Sequence, residues 1–346
     1  MKTLIDCKDE IHSCSKCGLC QSVCPIYKIT GNDCTVSRGH FIMLKKLING
    51  ELKMSKTINK YLDLCLKCSA CSKFCPSGID VVDIIALAKA EYFKLHKIEK
   101  FKSAILKFLL KALKIIHKFT PAPKSKKYNK KVIYFGGCAG ADKNVIKILN
   151  SMNIEVITPV FNCCGFPFYV MGDMDSFYEY KDDFYSILDK YEDYDIVVNC
   201  ATCEKTLKIY EKCGGKELTI KNVFEYIKEN NLNIELKKNQ TVTFHKPCNL
   251  DNYEDVKSII ENTKNIKYIE MKDFDKCCGG VNIDFINADK RKIMSELHKE
   301  KHNNITESGA KIVLTSCLAC KIKLNLFSFG KYKVMDFIEF LAKNIK

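Results

Sequence analysis

Two cysteine runs with one spacing constrain this chain more than any other feature of it. Cys14, Cys17, Cys20 and Cys24 follow Cys-x-x-Cys-x-x-Cys-x-x-x-Cys-Pro, and after a spacer of 40 residues Cys65, Cys68, Cys71 and Cys75 repeat it, with Pro25 and Pro76 closing the runs. Three thiolates at this spacing can wrap one cubane 4Fe-4S cluster, and the proline turns the fourth cysteine away from its own triplet. Paired structural zinc sites also use closely spaced cysteines, but they explain neither the third cysteine of each triplet nor the Cys-Pro ending. A disulfide framework fits worse still. The chain is long, opens on Met1-Lys2-Thr3 without the pattern of a signal peptide, and spaces its cysteines as metal ligands.

The runs resemble those of two-cluster ferredoxins, in which the fourth cysteine reaches across to the other cluster. The resemblance implies one cluster on Cys14, Cys17, Cys20 and Cys75, and the other on Cys65, Cys68, Cys71 and Cys24.

Cysteine is the compositional outlier, 21 in 346 residues, too many for packing in a cytoplasmic protein unless most of them hold metal. The length allows two or three domains with real cores. No uninterrupted apolar run reaches the roughly 18 residues of a spanning helix, so the chain reads as cytoplasmic, soluble or peripheral on the inner face of the membrane. The formal charge of +15 is local: residues 94–131 hold thirteen lysines and one acid, Glu99, so that segment carries +12 and the remainder about +3. A nucleic-acid-binding domain would not confine its charge in this way, and iron-bound thiolates lower the total further, so nucleic acid is disfavoured as a partner.

Residues 35–64 and 77–96 place Ile42, Leu44 and Leu47, then Val82, Ile85, Leu87 and Ala88, at helical spacing. This predicts an all-α two-cluster module over residues 1–98. Within residues 101–119, Lys107, Lys111, Lys114 and Lys118 recur on one helical face, while Ile105, Phe108, Leu109, Ala112, Ile115, Ile116 and Phe119 fill the other. A basic amphipathic helix of this kind can lie on an anionic membrane surface or dock a partner. The plain alternative is a helix whose apolar side covers the protein's own core. Pro121 and Pro123 end it, so residues 99–131 read as a helix and an exposed linker.

After the linker, strands at 132–135, 155–158, 196–199, 242–245, 267–270 and 312–315 alternate with helices, which predicts α/β units with small parallel sheets. The segment repeats. Cys138, then Cys163-Cys164-Gly165, then Cys200 and Cys203 in Cys-x-x-Cys are matched by Cys248, then Cys277-Cys278-Gly279, then Cys317 and Cys320, with offsets drifting only from 110 to 117 residues. Two homologous domains, 132–235 and 240–346, are the simplest account. The fold class is therefore α+β multidomain, an N-terminal α-helical two-cluster ferredoxin-like domain followed by two repeated α/β domains.

In each copy the five cysteines fall at strand ends or in the following loops, where α/β sheets present ligands. Five soft thiolates exceed what a tetrahedral zinc ion needs and suit an iron–sulfur centre of unusual geometry. Eight ligands in the twin runs and ten here leave Cys7, Cys34 and Cys213 as small hydrophobes or surface thiols. His245, two residues before Pro247, reads as an ordinary loop histidine, with tuning or protonation of a cluster as the alternative.

Cys-x(n)-Cys-Cys-Gly-x(n)-Cys-x-x-Cys, written twice behind the twin runs, resembles the CCG-domain (cysteine-rich domain) iron–sulfur proteins; Ser37-Arg38-Gly39 and the stretch from Cys75 through Pro76, Ser77, Gly78 and Ile79 to Asp80 resemble them as well. The family includes the iron–sulfur subunits of glycolate oxidase and anaerobic glycerol-3-phosphate dehydrogenase, and subunits of heterodisulfide reductase. The resemblance implies a metal set on Cys138, Cys163, Cys164, Cys200 and Cys203, and another on Cys248, Cys277, Cys278, Cys317 and Cys320. It further implies one or two clusters there, non-cubane 4Fe-4S in the reductases, with zinc in one domain of some relatives. Asn249, where relatives often carry His, and the short gap from Cys138 to Cys163 depart from the pattern.

No Gly-x-Gly-x-x-Gly follows a strand, so a donor of electron pairs must sit on another subunit. The resemblance implies an electron-transfer subunit of a flavin-dependent hydroxyacid or glycerol-3-phosphate dehydrogenase, with an FAD-containing partner and a quinone or other acceptor. The alternative is a heterodisulfide-reductase-like enzyme, with Cys163, Cys164, Cys277 and Cys278 as candidate catalytic residues. A third is a zinc-stabilised protein that holds nucleic acid through its lysines.

Overall fold

The computed structural model describes residues 2–191, 194–280 and 288–344. It divides into two compact units, one of Met1–Leu106, Pro167–Phe177 and Lys276–Glu300, the other of Lys107–Phe166, Tyr178–Asp275 and Lys301–Lys346.

The described part of the first unit is helical. Its N-terminal portion is organised by the two cysteine runs, which share one backbone course. Lys16 and Lys67, two residues past the first cysteine of each run, have φ of 59° and 55°, and Gly18 and Ser69 follow at 85° and 59°. These left-handed residues curl each loop so that its third cysteine starts a short helix, Leu19–Val23 in one case and Ala70–Lys73 in the other. Between the runs lie the helices Ser37–Ile48 and Lys56–Leu64, and after them Val81–Leu95, which buries Val82, Ile84, Ile85 and Ala88. Gly39 sits where a Cβ would meet the Asp33 carbonyl oxygen at 2.0 Å, so the first of these helices can close on its neighbour only with glycine there. Asp80 caps Val81–Leu95, and Ser72 Oγ accepts from the Val81 N–H at 3.0 Å, tying that helix to the second run.

The second unit holds two four-stranded parallel sheets of one topology. Strands β1 (Lys130–Tyr134), β2 (Ile154–Ile157), β3 (Ile196–Val198) and β4 (Ile220–Asn222) lie in the order β2-β1-β3-β4. Strands β5 (Glu235–Phe244), β6 (Lys264–Tyr268), β7 (Ile312–Thr315) and β8 (Lys333–Asp336) lie in the order β6-β5-β7-β8. The expected six strands are present, and the short edge strands β4 and β8 complete each sheet. β5 starts at Glu235, ahead of the boundary read from the repeat. The central pairs, Ile133 with Ile196 and Phe244 with Leu314, are all buried hydrophobics, as strands covered on both faces require.

The two sheets share one core. Val132, Val197, Phe224, Val242, Phe244, Leu314, Phe337 and Phe340 belong to a single buried cluster, and the Phe337 ring lies 5.6 Å from Phe224 and 6.0 Å from Phe244. The repeats therefore do not fold as beads on a string. Each supplies a wall of the other's interior, and the C-terminal ends of β3 and β7 are held together.

Candidate metal centres

In the first unit, one cavity is lined by Cys14, Cys17, Cys20 and Cys75, and a second by Cys24, Cys65, Cys68 and Cys71, with Cys71 reaching the first as well. The fourth cysteine of each run thus faces the triplet of the other. Burial pushes the Cys24 thiol up to about 12, although the Tyr27 N–H at 3.5 Å favours its thiolate. Cys65 and Cys71 are raised for the same reason. Thiols this hard to ionise stay protonated at neutral pH unless a cation replaces the proton, so the donor set fits a thiolate-bound metal cluster.

Sequence motifs gave no hint of the charge beside the second cavity. Lys67, Lys89 and Lys290 are all buried, with Asp63 as the acid among them; Lys89 is bonded to it, and its carboxyl lies well below the usual range, since the three lysines outweigh its own desolvation. Burial, then the neighbouring Lys89, brings the Lys67 ammonium down to about 7. A cubane on four thiolates nets about −2, which is the charge this excess of buried cations complements.

In the second unit, seven cysteines form one unbroken sequence of sulfur contacts. Cys138 meets Cys163, Cys163 meets Cys164, Cys164 meets Cys203, and Cys203 meets Cys200. The series then crosses between the repeats, for Cys200 neighbours Cys317, and Cys317 neighbours Cys320. The neighbouring Cys163 and Cys203 thiols bring Cys164 well down, and Cys200 and Cys320 do the same for Cys317. Cys200 is pushed up to about 12: its bond from Cys203 favours the anion, but its bond to Cys317 and its burial outweigh that.

Local structure explains the convergence. Cys200 and Cys317 are the N-cap residues of the helices Ala201–Lys212 and Leu318–Leu326, where a helix N-terminus favours a thiolate, and Cys203 and Cys320 stand one turn inside. Gly165 and Gly279, after each cysteine pair, share φ of 72°. The two helix starts are stitched by the Ala201 N–H on the Ser316 carbonyl at 3.1 Å and by Thr202 Oγ1 and Cys317 Sγ at 3.5 Å. Asn249, the departure after Cys248, donates to Thr202 Oγ1 at 3.3 Å and so joins this seam. Cys277 and Cys278 are buried in the first compact unit, where the Gly279 N–H donates to Cys277 Sγ at 3.4 Å. Of the three unassigned cysteines, Cys7 is buried, and Cys34 and Cys213 are partly so.

The lysine-rich helix differs from the plain alternative of a helix whose apolar side covers the protein's own core. It runs Lys97–Phe119, and its lysine face turns inward: Lys107 and Lys111 pair with Glu179, and Lys114 pairs with Asp183 at 3.0 Å. The apolar stripe of Ile98, Phe101, Ile105, Phe108, Ile116 and Phe119 is left in solvent, with Phe108 72% and Phe119 81% exposed. The apolar side therefore covers no core, and these three lysines are not free for a membrane. Beside the end of this helix a cavity of about 330 Å³ opens against the loop that carries Cys138, lined by His117, Phe119, Tyr134, Gly140, Pro159 and Phe161. The His117 ring leaves no space for a side chain at Gly140, where a Cβ would lie 3.0 Å from Nε2. No described helix is long and apolar enough to cross a membrane.

Comparison with known proteins agrees with this geometry. The 4Fe-4S dicluster domain matches residues 10–79, and the cysteine-rich domain matches residues 132–208 and again 242–325. An uncharacterized iron–sulfur protein of Methanocaldococcus jannaschii is 25% identical over 97% of this chain and 74% of its own length. The probable glycolate oxidase iron–sulfur subunit of Bacillus subtilis is 21% identical over 92% of this chain and 89% of its own. A subunit of the dihydromethanophenazine:CoB–CoM heterodisulfide reductase of Methanosarcina barkeri is 22% identical over 91% and 88%. The crystal structure of a hypothetical protein from Helicobacter pylori shares the fold, with a TM-score of 0.53 at 12% identity over 96% of this chain and 72% of that one.

Proposed function

As an iron–sulfur protein that joins a 4Fe-4S dicluster domain to a twice-repeated cysteine-rich domain, this chain, we propose, is the electron-transfer subunit of a flavin-dependent dehydrogenase of hydroxyacids or glycerol 3-phosphate. An FAD-containing partner would oxidise the substrate and deliver electrons singly to clusters held by Cys14, Cys17, Cys20 and Cys75 and by Cys65, Cys68, Cys71 and Cys24. Cys138, Cys163, Cys164, Cys200 and Cys203 would hold a further centre, and Cys248, Cys277, Cys278, Cys317 and Cys320 another. These groups supply one-electron chemistry; the protein supplies thiolates, buried cations and exclusion of water.

The observation that carries the reading is the sulfur sequence from Cys138 to Cys320, continuous across the Cys200–Cys317 contact. A substrate site would need one reactive sulfur facing an opening, whereas this series brings the ligands of the two repeats' centres next to one another.

The outer end of that series favours a lipophilic acceptor such as a quinone. The cavity beside Cys138 has aromatic and proline walls, His117 as a donor to a carbonyl, and Phe119 at a rim continuous with the exposed stripe of Lys97–Phe119. We take that stripe to lie on an anionic lipid surface. Exposed Lys97, Lys100, Lys118, Lys124, Lys126 and Lys127 flank it at both ends, which suits anionic headgroups and repels a second copy of the same helix.

A second reading is disulfide reduction at a cysteine-rich-domain centre. It is favoured by the completeness of both five-cysteine sets and by the relative named as a heterodisulfide reductase component. One experiment divides the two. Dithionite-reduced holoprotein is mixed anaerobically with a short-chain quinone or with a disulfide, and the iron–sulfur absorbance is followed. Rapid reoxidation by quinone alone supports the first reading; reoxidation by the disulfide with release of thiol overturns it in favour of the second.

A further inference from the structure

The two cysteine-rich repeats are not equivalent at one position that touches their Cys-x-x-Cys sulfurs. In the first repeat the residue after β1 is Phe135, whose N–H donates to the Val197 carbonyl of β3 at 2.9 Å. In the second, the residue after β5 is His245, whose N–H donates to the Leu314 carbonyl of β7 at 2.8 Å. The two positions are thus structural equivalents, three residues ahead of Cys138 and Cys248 respectively. Phe135 stacks into an aromatic group with Phe161 and Phe184, at 5.0 and 5.5 Å, and its ring stands beside Cys203 at Gly137. It offers the first site no donor atom.

His245, read from the sequence as an ordinary loop histidine, is fully buried. Neither ring nitrogen has a hydrogen-bond partner among the described residues. An imidazole without partners keeps the full desolvation cost of each group left unmet, so native structures seldom keep one without a bound group to complete it. Two neighbours in sequence to the second cysteine set share the condition: Ser316 Oγ, beside Cys317, and Asn249 Oδ1, beside Cys248, are buried without partners among the described residues. In the first repeat the counterpart of Ser316 is partnered, Asn199 Oδ1 accepting from Tyr134 at 2.9 Å, and Ala139 stands where Asn249 does; there Asn162 Oδ1, beside Cys163, is a buried atom without a partner among the described residues.

A ring nitrogen of His245 lies within 4.8 Å of Cys320 Sγ without a hydrogen bond between them. A metal ion held by both atoms in tetrahedral geometry would set them about 3.6 Å apart, given metal–nitrogen bonds of about 2.0–2.1 Å and metal–sulfur bonds of about 2.3 Å, so closing on it takes a side-chain shift of roughly 1 Å at most. Cys320 is in turn bonded to Cys317, and both follow β7, the neighbour of β5 in the sheet. We propose that His245 is a metal ligand, giving the centre of the second repeat a mixed nitrogen and sulfur donor set while that of the first is all sulfur. The inference rests on the reading that Cys317 and Cys320 hold metal. Replacing thiolate by neutral imidazole removes negative charge from the centre, which raises its reduction potential if the metal is iron and suits zinc equally.

The test is X-ray absorption at the iron and zinc edges on anaerobically purified full-length protein, for wild type, His245→Phe, Phe135→His and Cys317→Ser with Cys320→Ser. The phenylalanine variant reproduces the residue that the first repeat already accommodates, and retained cubane signals and far-UV circular dichroism check its folding. The expected result is a nitrogen shell at about 2.0–2.1 Å at one edge, lost in His245→Phe while the metal that the double cysteine variant releases is retained or lowered. A second nitrogen shell gained in Phe135→His would support equivalence of the positions. Metal at Cys317 and Cys320 with an unchanged shell in His245→Phe overturns the inference alone. Unchanged metal content in the double cysteine variant overturns the reading beneath it, and the inference with it.

Discussion

Cys200 and Cys317, 117 positions apart in sequence, lie against each other at the start of two helices that descend from one repeated unit. The contact joins the two cysteine sets of the chain's C-terminal half, and several expectations turn on it.

Removing either sulfur should disturb both repeats. Cys317→Ser is expected to lower the metal content of the second set and also to alter the spectrum of the first, because Cys200 loses the sulfur beside it. Electron paramagnetic resonance of the single variant checks this; a first-set signal identical to wild type would show the repeats to be electronically separate. Cys213→Ser, outside the series, is the control.

The cations around Asp63 should set the order of reduction of the two N-terminal clusters. Lys67→Met removes a buried charge beside Cys65 without opening a large void, so the cluster on that triplet should become harder to reduce. Potentiometric titration should show that one potential falling while the other stays within error.

The twin runs, the repeat, three strands of each sheet and the family were legible because each is written in local spacing. The edge strands β4 and β8 were not, since three or four residues such as Ile220, Lys221 and Asn222 carry too little periodicity. The periodicity of Lys97–Phe119 shows that its faces differ but not which one turns inward. That is settled by Glu179 and Asp183, roughly seventy residues further on, which periodicity does not record. Burial of His245 and Lys67 likewise follows from strand pairing and loop curvature rather than from their neighbours in sequence.

If the outward stripe of that helix meets lipid, Phe108→Asp with Ile116→Asp should abolish sedimentation with vesicles containing anionic phospholipid. Both side chains are exposed, so the fold should keep its thermal midpoint. Lys114→Ala, which breaks a half-exposed pair with Asp183, should change stability by no more than about 1 kcal/mol and leave vesicle binding unaltered. Equal loss of binding in that variant would return the role to the lysines.

His40 should make the protein acid-labile. It is fully buried, and desolvation brings its imidazole down to about 4 from 6.5. Above pH 6.5 neither state binds the proton; as pH falls toward 4 only the unfolded chain takes it up, so stability is lost across that window. The shift corresponds to about 3 kcal/mol. Denaturant unfolding of the wild type should show this slope, and His40→Gln should flatten it; parallel slopes would remove His40 as the cause.

The central claim, that the cysteines of both halves hold iron–sulfur centres, is tested most directly by iron, acid-labile sulfide and zinc analysis of protein purified without oxygen. We predict sulfide together with more iron than two cubanes contain, the excess lost when Cys200 and Cys317 are replaced together. Stoichiometric zinc without sulfide would contradict the account.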